Sequence, residues 1–221
     1  MMAIPRSQGD AKTKLLDAAL SVIRTKGYSA TTVDDICQTA GVTKGAFFHH
    51  FNSKEELGVS AAGHFASMAD ALFSTAPYRD LPEPVDRLLG YVDFRKAILQ
   101  GDLPEFTCLL GTMVQEAYET HPVIREACNK HIGEHTAMLE ADISDALRKY
   151  GIDAKWSAKS LALYTQAVIQ GAFILAKAKH NPDVAAGCLD HLRRYLQLLF
   201  IQPKQRKKDV NRNPESPIFG R

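Results

Sequence analysis

Apolar residues recur at three-and-four spacing along almost the whole chain, and no stretch alternates convincingly with a period of two. That pattern predicts an all-α protein. Leu15, Leu16, Ala19, Val22 and Ile23 share one face of a helix predicted from about Asp10 to Gly27, where a glycine accepts the left-handed turn that ends a helix. In "TTVD", Thr32 and Asp35 have the spacing of a capping box, and Val33, Ile36, Cys37 and Ala40 follow as the apolar stripe of a two-turn helix ending at Gly41. With Thr43 as the next N-cap, Val42 and Phe47 have the spacing of a hydrophobic staple, and Phe51 lies one turn further along the same buried face. "SKEE", Ser53 to Glu56, repeats the capping pattern and opens a long fourth helix over 53–74.

Pro82 and Pro84 break the chain, after which helices are predicted over 85–100, 104–119, 122–150, 157–179 and 183–201. In 104–119 the stripe is Phe106, Leu109, Leu110, Met113, Val114 and Ala117. Ala167 and Gly171, one turn apart, allow close approach to the helix over 157–179, and the last helix carries Val184, Cys188, Leu189, Leu192, Leu196 and Leu199. One chain cannot easily cover both helices. A pair of such hairpins from two chains forms a four-helix bundle, which predicts a two-fold homodimer through the two C-terminal helices.

Composition narrows the classes. With 221 residues, 45% hydrophobic and 24% charged, the chain has the balance of a soluble globular protein with a real core. "MMAIPRSQGDAK" contains no signal-peptide pattern, so a cytoplasmic location is expected. The uncharged run over 160–176 includes Tyr164, Thr165, Gln166 and Gln170 and reads as a buried helix, so no membrane partner is expected. Cys37, Cys108, Cys128 and Cys188 lie far apart without a CxxC pair, which points to free thiols, with no metal and no cofactor. A net charge of +2 excludes a protein that simply coats nucleic acid. Residues 1–9 and the Pro-containing basic tail over 203–221 are predicted to be disordered.

The stretch "GVTKGAFFHHFNSKEEL" carries the chemistry. If Phe47 and Phe51 anchor the third helix, Thr43, Lys44, Gly45, Phe48, His49 and His50 fall on its outer side and first turn. Glycine inside a helix costs about 1 kcal/mol relative to alanine, so close approach of another backbone is the better reason for Gly45. Thr, Lys and His side chains all donate hydrogen bonds to phosphate, and Lys54 adds a further cation. Two helices joined by a tight turn, the second presenting its N-terminal side chains, make a helix-turn-helix for the major groove.

The run "GYSATTVDDICQTAGVTKGAFFHHFNSKEEL" resembles the DNA-binding signature of the tetracycline-repressor (TetR) family of bacterial regulators. The resemblance implies a DNA-binding domain over 10–58, with a connecting helix over 53–74, and a ligand-binding and dimerisation domain over 59–202. It implies Thr32, Thr43, Lys44, Gly45, Phe48, His49, His50 and Lys54 at double-stranded DNA. Phe48 stands where the family usually has tyrosine, so it offers apolar contact, for instance with a thymine methyl, and no hydroxyl. The function implied is a transcriptional regulator, most simply a repressor released from a palindromic operator when a small-molecule effector binds the C-terminal domain.

Helix faces in that domain nominate Met113, Glu116, His131, His135, Trp156, Tyr164 and Phe173 as ligand-binding residues. Two alternatives compete. Some family members sense oxidants through a cysteine in a comparable "CLLG"-like position, which makes Cys108 a candidate redox sensor, although its own helix has no Lys or Arg to stabilise a thiolate. "HIGEH", His131 to His135, matches H-x-x-E-H and, with Cys128 one turn earlier, suggests a zinc hydrolase. No acidic motif elsewhere completes such a site, so the expectation is that the chain is not an enzyme and has no catalytic residues.

Overall fold

The structure, a computed structural model, describes residues 10–200, and the two predicted disordered ends, with the basic "KQRKK" stretch, lie outside the described residues. Ten α-helices and one 3-10 turn make up the regular structure of the described residues.

The head is built by local capping. Asp10 accepts the Thr13 N–H at 2.9 Å and starts α1 (Ala11–Lys26). Gly27 ends it with φ +87° as a terminal glycine should, but its ψ of 161° carries the chain into an extended path instead of the left-handed turn expected. At Thr32 and Asp35 the capping box closes in both directions, with N–H to oxygen distances of 3.1 and 2.8 Å, and starts α2 (Val33–Ala40). Gly41 then adopts the left-handed conformation at φ +66°. Thr43 caps α3 (Lys44–His50), and Ser53 caps α4 (Lys54–Ser74). Glu56 returns its carboxylate to Asn52, 2.8 Å from both the backbone and side-chain nitrogens, so this box closes one residue earlier than the pattern predicts.

A 3-10 turn (Pro77–Asp80) leads into the body: α5 (Pro84–Ala97), α6 (Leu103–Phe106), α7 (Leu109–Ala117), α8 (Pro122–Tyr150), α9 (Ala158–Lys179) and α10 (Asp183–Phe200). The single helix predicted over 104–119 is two. Asp102 and Glu105 close a capping box of their own around Pro104, Thr107 is extended, and Cys108 becomes the N-cap of α7. The break separates two loyalties of the predicted stripe: Phe106 turns to Phe173 on α9, whereas Leu109 and Met113 face the head.

Two cores result. In the body, Phe73, Leu88, Tyr91, Ile143, Leu161, Ile169, Leu189 and Leu196 are buried together. In the head, Leu15, Ile23, Ile36, Phe47, Phe51 and Leu57 form a core that continues into Leu109, Met113, Ile124 and Cys128 of the body, across the boundary expected near residue 58. Each such buried Leu, Ile or Phe contributes about 1.5–3 kcal/mol, so the head is fastened to the body by apolar burial. Helix α4 spans both cores, with Leu57 and Ala61 in one and Phe73 in the other. Helix α9 is long and apolar enough to cross a membrane by length and composition, yet eight of its residues face the body interior, as a core helix requires.

Candidate nucleic-acid interface

Phe47 and Phe51, 0% and 2% exposed, pin α3 against the head core. The opposite side is presented outward: Thr43, Lys44, Gly45 and His49 are exposed, Phe48 is 56% exposed, and His50 is half-buried, with its ring against those of His49 and Phe51. The Thr43 oxygen accepts the Ala46 N–H at 3.2 Å while its own hydrogen stays available to an external acceptor. Lys44 Nζ lies 2.8 Å from Asp34 Oδ1 across the turn, and that carboxylate raises the pKa of the ammonium. An exposed pair of this kind contributes little and exchanges readily for a phosphate. A Cβ at Gly45 would meet only Thr43 Oγ1, at 3.7 Å, so nothing inside the chain requires glycine there, which leaves room for an external backbone.

Two residues nominated for DNA are occupied by the head itself. Thr32 donates its hydroxyl to Asp35 at 2.6 Å and caps α2. Lys54 turns inward: its Nζ donates to the Tyr28 and Thr31 carbonyls at 3.1 and 2.9 Å and sits 4.4 Å from the Tyr28 ring centroid. The Tyr28 carbonyl also accepts the Thr31 N–H at 3.2 Å, whereas the loop between α1 and α2 leaves the Thr31 carbonyl without a helical partner, and the ammonium is the donor it receives. Partial burial lowers the Lys54 pKa.

The residues nominated for a ligand do not converge. Met113 is fully buried at the junction of head and body, and Glu116 accepts the Ser29 N–H at 2.8 Å. Trp156 packs edge-on to Phe200, and Tyr164 stands 46% exposed against Tyr195. Glu116 and Phe173 share a cleft of about 210 Å³ between α7 and α9, with Cys108, Thr112, Gln170 and Lys177. Cys108 Sγ accepts the Gly111 N–H at 3.5 Å, and the charges of Arg24 on α1 and Lys177 on α9 reach it, cations that its own helix does not contain. Burial pushes the Cys128 thiol up to about 12, which keeps it protonated.

His131 and His135 part company. His131 Nδ1 lies 2.8 Å from Glu134, while His135 points into the body, its Nε2 3.0 Å from both the Tyr91 hydroxyl and Arg95 Nη2. Burial, with the Arg95 charge, lowers the His135 pKa to about 3, so its ring is neutral. Among the described residues no three His, Cys, Asp or Glu side chains gather as metal ligands. The sequence did not single out Tyr91 and Arg95, which contact His135, or Gln166, which donates to the Tyr91 hydroxyl. Tyr91 and Arg95 at i, i+4 on one helix were the available signal.

A helix-turn-helix with an outward α3, continuous with an all-helical body through a long connecting helix, defines a DNA-binding transcriptional regulator. Residues 15–60 match the profile described as "Bacterial regulatory proteins, tetR family", and residues 84–185 match "Transcriptional regulator LmrA/YxaF-like, C-terminal domain". The chain belongs to the tetR family of bacterial regulators. It is 28% identical over 187 residues to the transcriptional regulator AcuR of Cereibacter sphaeroides, covering 82% of this chain and 74% of that one. It is 28% identical over 170 residues to the HTH-type transcriptional repressor DhaR of a Mycobacterium species, covering 76% and 83%. A solved tetR-family regulator from Agrobacterium tumefaciens has the same fold, with a TM-score of 0.75 at 19% identity over 86% of this chain and 98% of that one. These likenesses support a DNA-binding regulator, and for this chain the zinc-hydrolase and thiol-switch alternatives are not favoured.

Proposed function

We propose that the protein is a cytoplasmic, homodimeric repressor that holds a palindromic operator through two copies of α3 and releases it when a small molecule binds the body. The observation that carries this reading is the two-sidedness of α3: Phe47 and Phe51 are buried, and Lys44, Gly45, Phe48 and His49 stand outward. Repression is supported by the likeness to DhaR, whose name describes a repressor. Two such helices reach major grooves about 34–36 Å apart only if two chains are joined, which the apolar outer faces of α9 and α10 favour. Because α4 is packed into both cores, a ligand that shifts its Phe73 end also tilts its Leu57 end, changing the spacing of the heads. The ligand weakens operator binding only by the margin with which it prefers the spread form.

The test is a Lys44→Ala, His50→Ala double variant, checked for native helicity, against a promoter fragment that the wild type binds. Loss of the two contacts should weaken binding, and loss of the Lys44 charge should flatten the salt dependence of log K by roughly 0.9. Unchanged affinity and salt slope in the folded variant would overturn the reading.

A further inference from the structure

The body contains a polar cluster with too many donors. Tyr91 Oη receives Arg95 Nε–H at 2.9 Å and Gln166 Nε2–H at 3.0 Å. The neutral His135 ring offers one lone pair, at Nε2, and both the Tyr91 hydroxyl and Arg95 Nη2 are aimed at it from 3.0 Å. One lone pair cannot accept two full hydrogen bonds. Tyr78, whose ring is 5.9 Å from that of Tyr91, is 5% exposed and its buried hydroxyl has no hydrogen-bond partner.

Charge is unbalanced as well. Arg95 has no carboxylate within ion-pair distance among the described residues, and its neighbours are neutral: Tyr91, His135, and the Phe73 ring 4.5 Å away. The buried carboxylate of the body, Asp142, is taken by Arg79 and Arg87 at 3.1 and 2.7 Å. A network built only for stability would close on an acceptor, since a donor left unmet away from water is costly. Here three helices, α5, α8 and α9, and the 3-10 turn assemble a guanidinium, an imidazole, an amide and two phenols around a missing acceptor.

We propose that this cluster is the effector site and that it takes a small organic monocarboxylate, held by the Arg95 fork and the Tyr78 and Tyr91 hydroxyls, with its body against Phe73 and Phe94. A carboxylate supplies one negative charge and about four acceptor positions in the plane that a guanidinium matches. A dianion would bring a second charge that the cluster cannot neutralise. Arg95 is only half-buried, so an anion can reach it from solvent. Phe73 closes the circuit: it lies on the last turn of α4, 4.9 Å from the His135 ring, so a guest entering between Arg95 and the aromatic rings displaces the connecting helix. This assignment rests on the ligand-release reading above and gives it a chemistry.

The experiment titrates full-length protein with acetate, the smallest carboxylate such a site must admit, then butyrate and benzoate, against chloride at matched ionic strength. It follows the Arg95 Nε–H and His135 ring resonances by NMR. Saturable shifts with a carboxylate and none with chloride are expected, weakened about tenfold or more in Arg95→Gln. Tyr78→Phe removes only the unpartnered hydroxyl, so it should keep full thermal stability and still weaken the carboxylate about threefold or more. No saturable response to any of the three acids, or wild-type affinity in both variants, overturns the site. Operator affinity is measured separately: a carboxylate that binds without loosening DNA leaves the site standing and refutes the release step.

Discussion

Glu116 on α7 accepts the Ser29 backbone N–H at 2.8 Å, and its carboxylate fills the space that a side chain at Gly27 would need. One body residue thus sets the exit of α1, and the φ of +87° at Gly27 is bound up with the head–body joint. Gly27→Ala should destabilise the fold by about 1–2 kcal/mol, because an L side chain resists positive φ. Adding Glu116→Ala relieves the steric part and leaves the backbone part, so the two losses should be non-additive in urea unfolding. A Gly27→Ala protein as stable as wild type would show that this joint is not held as described.

Lys44 and Lys54 look alike in the chain and differ in the structure. Among the described residues Lys44 pairs with the exposed Asp34, whereas Lys54 donates to the Tyr28 and Thr31 carbonyls. Lys54→Met should therefore cost about 1–3 kcal/mol of stability, because it leaves the carbonyl of the buried Thr31 without its donor. Its operator binding should keep the wild-type salt slope, while Lys44→Ala lowers that slope by about 0.9. The reverse pattern in salt titrations would make Lys54 the phosphate contact.

The head was legible because its signals are local. Thr32 with Asp35, Gly41, Thr43 and Ser53 each act within four residues, and capping energetics need no tertiary partner. The body was legible only as helices. Phe106 and Met113 share a periodic stripe, but which neighbour each one meets is decided by α9 and by the head, so the break at Thr107 carried no local warning. Tyr164 and Trp156 were nominated for one cavity because a helix face says that a residue packs and not against what. The Arg95 cluster was hidden for the same reason, since its members come from α5, α8, α9 and the 3-10 turn.

His135 makes stability depend on pH in a particular direction. Its pKa is about 3 in the folded protein against 6.5 for an ordinary histidine, so below 6.5 the unfolded chain binds the extra proton. The contribution of the buried neutral ring is therefore complete above pH 6.5 and is lost as pH falls from there toward 3, at up to about 1.4 kcal/mol per pH unit. Arg95 from α5 is the charge facing it, with the Tyr91 phenol beside it, and Glu134 on its own helix is occupied by His131. Urea titrations at pH 7, 6 and 5 should show wild type losing more stability than His135→Gln, whose amide oxygen can replace Nε2 without titrating. Parallel losses would mean that this ring is protonated in the folded state.

The outer face of α9 and α10 asks for a partner. Leu163, Tyr164, Ile174 and Leu175 on α9, with Tyr195 and Leu198 on α10, are each 41–54% exposed. Ala167 and Gly171 lie between them on the same side, and a Cβ at Gly171 would meet nothing within 4 Å, so no contact inside the chain requires a glycine there. A second hairpin laid across this stripe buries the apolar side chains and uses the small residues for close approach, over about 800 Å² per chain in a typical interface. Ile174→Glu with Leu175→Glu places two like charges on each side of a two-fold contact while leaving the inward Ile169, Phe173 and Ala176 in place. The variant should sediment as a folded monomer, and its operator affinity should fall by about 100-fold or more, since two linked heads gain that much over one. A dimer that survives both glutamates would move the interface to another surface.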